Sequence, residues 1–342
     1  MAISKRKDEH IKIASSQKSQ YKSSAGFDEI EFLHCSLPEC DLEKLNCTVE
    51  FLGKKISAPI MIGSMTGGTT MAKKINKRLA LAAEKEMVPL ALGSYRPLLE
   101  NQHVFDSYNV RKLCPSVPLI ANIGAVQLKE YEFKKIEEVV NKTEADALAI
   151  HLNPLQECIQ PEGQKNFEGV YEKIIQLADF FNLPIIVKET GGGINADIAK
   201  KFENTKIRYV DVSGKGGTSW SKVEYYRGGK IVGFEEWGNY TALAVAECSK
   251  VIKTIASGGI RNGIDVAKSI ALGAELGSAS APFLVNPNKK LYLFKEQLKR
   301  CMFLTGSKNI EELKNAPLLI YGKIAQIMKQ RGIDVEGYAR RK

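Results

Sequence analysis

Residues 183–217 read LPIIVKETGGGINADIAKKFENTKIRYVDVSGKGG. A short apolar run at 184–189 ends in small and polar residues, a stretch with helical periodicity follows at 196–203, and a second apolar run begins at 207. Short apolar runs bounded by Gly, Pro, Asn or Ser are the mark of strands buried on both faces, as in a parallel sheet. The same unit recurs along the chain. Apolar runs lie at 59–64, 88–93, 118–123, 145–151, 184–189, 207–212, 251–256 and 274–279, and helix-periodic stretches at 72–86, 130–143, 167–181, 196–203, 240–249, 263–272 and 290–304. Eight strand–helix units in series predict an α/β fold, the (β/α)8 or TIM barrel, which takes about 250 residues. A doubly wound open sheet fits less well, because a single open sheet seldom reads as eight equal units. No linker or low-complexity tract interrupts the 342 residues. One domain over 1–342 is expected, with an N-terminal extension (1–58), the barrel (59–305) and a C-terminal extension (306–342) that has its own helix-like stretch at 321–331.

Composition narrows the function classes. Hydrophobic residues make up 44% and charged residues 26%, an ordinary globular balance that excludes collagen, coiled coil and disorder. No apolar run approaches the roughly 18 residues of a membrane span. The opening MAISKRKDEH is followed by no apolar stretch, so no secretory leader is expected. The seven cysteines (35, 40, 47, 114, 158, 248 and 301) are odd in number and form no CxxC, as expected of reduced thiols in a cytoplasmic protein. The net charge is +10, but residues 1–22 carry +4 of it and residues 329–342 carry +3. A near-neutral body with basic ends is not the basic face of a nucleic-acid binder; such ends serve solubility or contact with phosphates.

Active sites of such barrels lie at the C-terminal ends of the strands. The ends of the first six runs all carry polar candidates: Ser64, Met65 and Thr66; Ser94 and Arg96; Asn122 and Gln127; His151, Asn153, Gln156 and Glu157; Lys188 and Glu189; Asp211, Ser213 and Thr218. One polar strand end is ordinary; six on one face point to a site. The seventh run ends Ser257-Gly258-Gly259-Ile260-Arg261-Asn262-Gly263 and the eighth Gly277-Ser278-Ala279-Ser280-Ala281. Glycines there let backbone N–H groups approach an anion, and the following helix turns its N-terminus toward it, so a phosphate site is predicted. The phosphate can belong to a substrate or to FMN. Asn122 and Lys188 can reach the same central ligand, and a lysine near a flavin's pyrimidine ring would stabilise its anionic reduced form. The interruption at 213–238, rich in Gly, Ser and aromatics, is too long for a plain strand–helix connection and is a candidate lid.

Taken in order, Arg6-Lys7-x-x-His10, Met65-Thr66-Gly67-Gly68, Gly93-Ser94-x-Arg96, Asn122-Ile123-Gly124-Ala125-x-Gln127, His151-x-Asn153-x-x-Gln156-Glu157, Lys188-Glu189, Ser213-Gly214-x-Gly216-Gly217-Thr218-x-Trp220 and Ser257-Gly258-Gly259-Ile260-Arg261 resemble the type 2 isopentenyl-diphosphate Δ-isomerases over residues 6 to about 284. The resemblance implies a redox-neutral interconversion of isopentenyl and dimethylallyl diphosphate, needing reduced FMN, NADPH or another reductant, and Mg2+. It implies that Ser64, Met65, Thr66, Ser94, Asn122, Lys188, Ser213, Thr218, Gly258, Gly259, Arg261, Ser280 and Ala281 hold FMN. Arg6, Lys7, His10, Ser94, Arg96, His151, Asn153 and Gln156 would hold the diphosphate substrate, Glu157 the Mg2+, and Gln156 would be the catalytic residue. It also implies a homo-oligomer of four or more copies. The residue types suit the task. The diphosphate needs cations, and arginine offers a fork where lysine offers a point charge. Gln156 cannot titrate near neutrality, so it would orient or relay. The aromatics of 213–238 would keep water from a cationic intermediate.

Three rivals are weaker. An FMN hydroxy-acid oxidase needs a histidine base late in the barrel, and all four histidines (10, 34, 103 and 151) precede residue 152. A nucleotide dehydrogenase of the inosine monophosphate type needs a cysteine in the loop after the sixth strand, and 213–238 has none. A non-catalytic phosphate- or nucleic-acid-binding protein leaves Gln156, Glu157 and Lys188 without a purpose.

Overall fold

The structure, a computed structural model, describes residues 2–341. Its strands are β1 (Ile30–Phe32), β2 (Val49–Phe51), β3 (Lys54–Ile56), β4 (Ile60–Ile62), β5 (Leu90–Ala91), β6 (Leu119–Gly124), β7 (Ala147–His151), β8 (Ile185–Lys188), β9 (Ile207–Asp211), β10 (Thr254–Ser257), β11 (Leu276–Ala279) and β12 (Leu318–Ile320). Strands β4 to β11 are the eight predicted runs, and they close into a parallel barrel. The last pairs with the first through Gly277↔Ile60, Ser278↔Met61 and Ala279↔Ile62.

Period-two alternation sorts the side chains of each strand. In β7, Ala147 and Ala149 join the barrel interior, while Leu148 and Ile150 join the layer beneath the helices. The interior stack, with Met61, Ala91, Ile120, Ile186, Tyr209, Ile255 and Leu276, is small at β5 and β7 and bulky opposite, which fills the taper. Its lower end is closed by a hairpin from the N-terminal extension. β2 and β3 pair antiparallel through a Leu52-Gly53 turn whose φ angles are both positive (51° and 75°), the geometry that matches strand twist in two-residue hairpins. Phe51 and Ile56 drop into the interior stack, and the Phe51 ring lies 5.1 Å from Tyr209.

The outer helices follow the sequence reading with shifts of a few residues at their ends. Thr70–Glu86 is capped by the Thr69 hydroxyl, and Gly263–Ala271 by the Asn262 carbonyl. The second unit departs from the pattern. It has no long helix: Arg96–Glu100 is started by Pro97, and extended Asn101 breaks it by capping a separate 3-10 turn, Gln102–Ser107.

The two extensions meet. β1 pairs antiparallel with β12, Ile30 opposite Ile320 and Phe32 opposite Leu318. Helix Gly322–Gln330 then lays Ile324 against Gly26 and Ala242. The N-terminal helix Ala2–Ala14 lies against helix Trp220–Tyr226 over the C-terminal end of the barrel. Among the described residues no helix is long and apolar enough to cross a membrane.

Candidate active site

The upper strand ends and the two covering helices enclose one cavity. Every residue proposed from the sequence to hold flavin, substrate or metal lines it. His10 and His151 are there; His34 and His103 are not among its lining residues.

One wall is cationic. Arg6 and Lys7 come from the N-terminal helix and Arg96 from the second barrel loop. Arg96 is steadied by Glu100 at 2.9 Å, and Arg6 lies 3.6 Å from Glu162, its buried Nε without a partner. Lys7 makes no ion pair among the described residues. Burial first, then Arg6 and Arg96, push its pKa down to about 8. Three cations held together against their mutual repulsion, one of them without an ion-pair partner among the described residues, are an arrangement that suits a multiply charged anion.

Beside it runs a polar chain. Gln156 Nε2 donates to Glu224 Oε1 at 2.8 Å, and His10 Nε2 lies 2.9 Å from the same oxygen, poorly aligned for a hydrogen bond. Arg227 binds the other oxygen of Glu224. Burial alone would raise the pKa of Glu224, but His10, Gln156 and Arg227 together hold it below the usual value. The His10 imidazole is pushed down, by burial first, and stacks edge-on with Trp220 at 5.4 Å. Glu157 Oε1 accepts from Asn153 Nδ2 (2.8 Å) and its Oε2 from the backbone N–H of Gln164 (2.7 Å). Among the described residues no three His, Cys, Asp or Glu side chains cluster as a metal cage. A cation at Glu157 would therefore complete its oxygen shell with ligand oxygens or water, as Mg2+ commonly does.

On the floor, His151 Nδ1 lies 2.8 Å from Asn122 Oδ1, an arrangement in which Nδ1 carries the proton and Nε2 remains an acceptor. Burial first, then Lys188 and Lys7, push the His151 pKa down to about 3, so the ring is neutral. Lys188 Nζ donates to the Glu189 carbonyl at 2.5 Å, and buried Asp211 lies on the next strand in register with it.

The loops after β10 and β11, expected from the sequence to take a phosphate, border the same cavity. Gly258 and Gly259 have φ of 92° and 72°, and a Cβ on Gly258 would meet the Gly214 carbonyl oxygen at 2.0 Å. Ser64 Oγ and Thr66 Oγ1 are buried without partners. Arg261 and Thr218 line the same cavity. Open glycine backbone, orphaned hydroxyls and a guanidinium are what FMN would need: N–H groups and a cation for its phosphate, hydroxyls for its ribityl chain, and Asn122 and Lys188 for its ring.

One reading needs correction. The aromatics of 213–238 mostly do not face the cavity: Tyr225, Tyr226, Phe234 and Trp237 are exposed, and only Trp220 lines it. The reason is helical spacing, since Trp220 and Glu224 share one face of Trp220–Tyr226 and the tyrosines fall on the other. The segment also touches the N-terminal extension, Tyr21 Oη donating to the Trp237 carbonyl at 2.9 Å and the backbone N–H groups of Lys22 and Ser23 donating to Glu236. Glu224 itself was missed from sequence, although that same spacing from Trp220 was the signal available. The glycines at 191–193 wrap the Glu189 carboxylate, which accepts from the backbone N–H groups of Thr190 and Gly191 at 2.6 Å each.

Comparison with known proteins identifies the family. Residues 149–319, β7 through the start of β12, match the FMN-dependent dehydrogenase family. The isopentenyl-diphosphate delta-isomerase of Pyrococcus furiosus is 40% identical, with 98% of this chain and 91% of that protein covered. That of Methanothrix thermoacetophila is 42% identical, with 98% of both covered. The chain belongs to the isopentenyl-diphosphate delta-isomerase family. Solved structures similar to this family member include a lactate oxidase of Pediococcus acidilactici (TM-score 0.67, 15% identity, 93% of this chain and 94% of that one). A mandelate oxidase is similar too (TM-score 0.64, 14% identity, 91% and 95%). At that identity the likeness is one of fold.

Proposed function

We propose that this chain interconverts isopentenyl diphosphate and dimethylallyl diphosphate by a proton shift with no net redox change, using reduced FMN and Mg2+, with NADPH as a reductant. The observation that carries the reading is a cavity with two groups suited to anions: the glycine loops after β10 and β11, and the Arg6–Lys7–Arg96 cluster, whose lysine makes no ion pair among the described residues. One suits the phosphate of FMN and the other a substrate diphosphate.

When bound, reduced FMN supplies the acid and base that an unactivated alkene requires. The chain's part is positioning. Arg6, Lys7, His10 and Arg96 hold the diphosphate, and Glu157 shares Mg2+ with its oxygens. Gln156, fixed by its bond to Glu224, orients the alkene end. Glu224 Oε1, between Gln156 and His10, holds both side chains toward the substrate. Trp220 and the N-terminal helix keep water from a developing cation.

The fold likeness favours a second reading, an FMN hydroxy-acid oxidase. Against it, the β9, β10 and β11 loops bring no histidine into the cavity. His151, with a pKa near 3, is also too weak a base at neutral pH.

The test is anaerobic turnover of isopentenyl diphosphate by the pure protein with Mg2+, comparing reduced FMN, oxidised FMN and no flavin. Turnover with reduced FMN alone is expected. FMN binding without turnover favours the oxidase reading, and no FMN binding removes the phosphate-cradle argument. The same reading includes one domain over 1–342, a cytoplasmic location and a homo-oligomer of four or more copies; a monomer by light scattering would remove the last.

A further inference from the structure

We propose that Gln20 is the positioning residue that couples the flavin-phosphate cradle to the helix carrying the diphosphate-binding cations. The inference rests on the functional reading above. Gln20 belongs to the N-terminal extension and does not line the cavity. Its Oε1 accepts from Arg261 Nη2 at 2.8 Å. Its Nε2 reaches the carbonyls of Ala14 (3.3 Å) and Ser16 (3.4 Å), at the end of the helix that bears Arg6, Lys7 and His10, and the Thr218 hydroxyl (3.3 Å). An amide offers an acceptor at one end and a donor at the other, so the two ends cannot be satisfied independently.

The main chain fixes the residue at the crossing point. Gln20 forms a β-bridge with Thr218, flanked by Tyr21 N–H to Gly217 O (2.8 Å) and Ser219 N–H to Ser19 O (2.7 Å). Its carbonyl accepts from Lys222 Nζ at 2.7 Å. Lys222 in turn pairs with Glu236 at 2.8 Å, and Glu236 accepts from the backbone N–H groups of Lys22 and Ser23. A phosphate that draws in Arg261 therefore aligns Gln20, and Gln20 aligns the end of the cationic helix. Coupling between two ligands is reciprocal, so a diphosphate on that helix must tighten FMN by the factor with which FMN tightens it.

The test uses the full-length chain stripped of flavin. FMN is titrated by quenching of its fluorescence, with and without Mg2+ and inorganic pyrophosphate, and pyrophosphate binding is followed separately by calorimetry. Pyrophosphate is expected to tighten FMN by roughly fivefold or more, the lower end of ordinary coupling. Gln20→Ala is expected to weaken FMN roughly tenfold, the worth of one hydrogen bond to a charged group, and to abolish the pyrophosphate effect. Gln20→Glu keeps an acceptor for Arg261 but sets another against the helix-end carbonyls; FMN affinity should hold within about threefold while the pyrophosphate effect disappears. Should Gln20→Ala fail to fold, Gln20→Glu decides alone. A plain structural role would weaken FMN in the variants and leave the pyrophosphate effect intact, which overturns the proposal. Pyrophosphate binding to the wild type with no effect on FMN overturns the coupling and spares the functional reading. No pyrophosphate binding overturns both.

Discussion

Replacing Lys7 by methionine should make the ligand-free protein more stable and the enzyme worse. An ammonium whose pKa has fallen from 10.5 to about 8 costs the fold about 3 kcal/mol. Lys7 is half-buried, so water screens part of this, leaving about 1–2 kcal/mol. The cost is full below pH 8, where folded and unfolded chains are both charged, and fades as pH rises toward 10.5, where both are neutral. Lys7→Met should therefore raise Tm at pH 7 by about 2–4 °C, at roughly 2 °C per kcal/mol for a chain of this size, and by less at pH 9.5. The same change removes a charge-assisted contact worth about 1.5–3 kcal/mol, so KM for isopentenyl diphosphate should rise roughly 10- to 100-fold. In the wild type, affinity should decline as pH climbs through 8, and that decline should be absent in the variant. Scanning fluorimetry without ligand and initial rates across pH measure both effects. A lower Tm with unchanged KM would mean that Lys7 is a structural residue, and the anion-site argument would fail.

Gln156→Ala should lower kcat on the order of 10²-fold and change KM little; a pure KM effect would refute its role at the reacting end. Lys188→Ala should make the bound flavin's reduction potential more negative or reduce its occupancy, and no change in either would remove Lys188 from the flavin site. His151, with a folded pKa near 3 against an ordinary 6.5, contributes nothing adverse above pH 6.5 and costs stability as pH falls from 6.5 toward 3, by up to about 1.4 kcal/mol per pH unit. His151→Gln should flatten that acid limb in denaturant titrations, and an unaltered slope would show the ring to be solvated. Phe51→Ala should cost about 3–5 kcal/mol by emptying the barrel floor while KM stays within about twofold, measured by urea unfolding and kinetics.

The barrel was legible because each strand is local and doubly buried, so its apolar run and its Gly or Asn ends stand next to each other in sequence. Most candidate site residues were legible for the same reason, sitting just past a strand, whereas Arg6, Lys7 and His10, on the N-terminal helix, came only from the family resemblance. What escaped depends on distant partners. The β2–β3 hairpin carries Lys54 and Lys55 beside Phe51 and Ile56, and nothing local says that eight strand bottoms will receive it. β1 and β12 are three residues each and find one another only across the whole chain. Glu224, in the sequence Trp-Ser-Lys-Val-Glu, reads as the solvated side of a helix until the N-terminal helix covers it and the carboxylate is wholly buried. The overreading of the aromatics of 213–238 came from composition, which counts them without saying which way a helix turns them.

The pairing of β1 with β12 has a consequence for the order in which the molecule is made. A ribosome releases residues 30–32 long before residues 318–320, so the arm that carries Arg6, Lys7 and His10 waits through the synthesis of all eight barrel strands for its clasp. A nascent chain cut short at residue 315 would keep every barrel strand and every cradle glycine, yet its cationic arm would hang by one fewer tie. Partial products of translation would then carry the whole flavin cradle while holding substrate less firmly than the finished chain, and full turnover would arrive last.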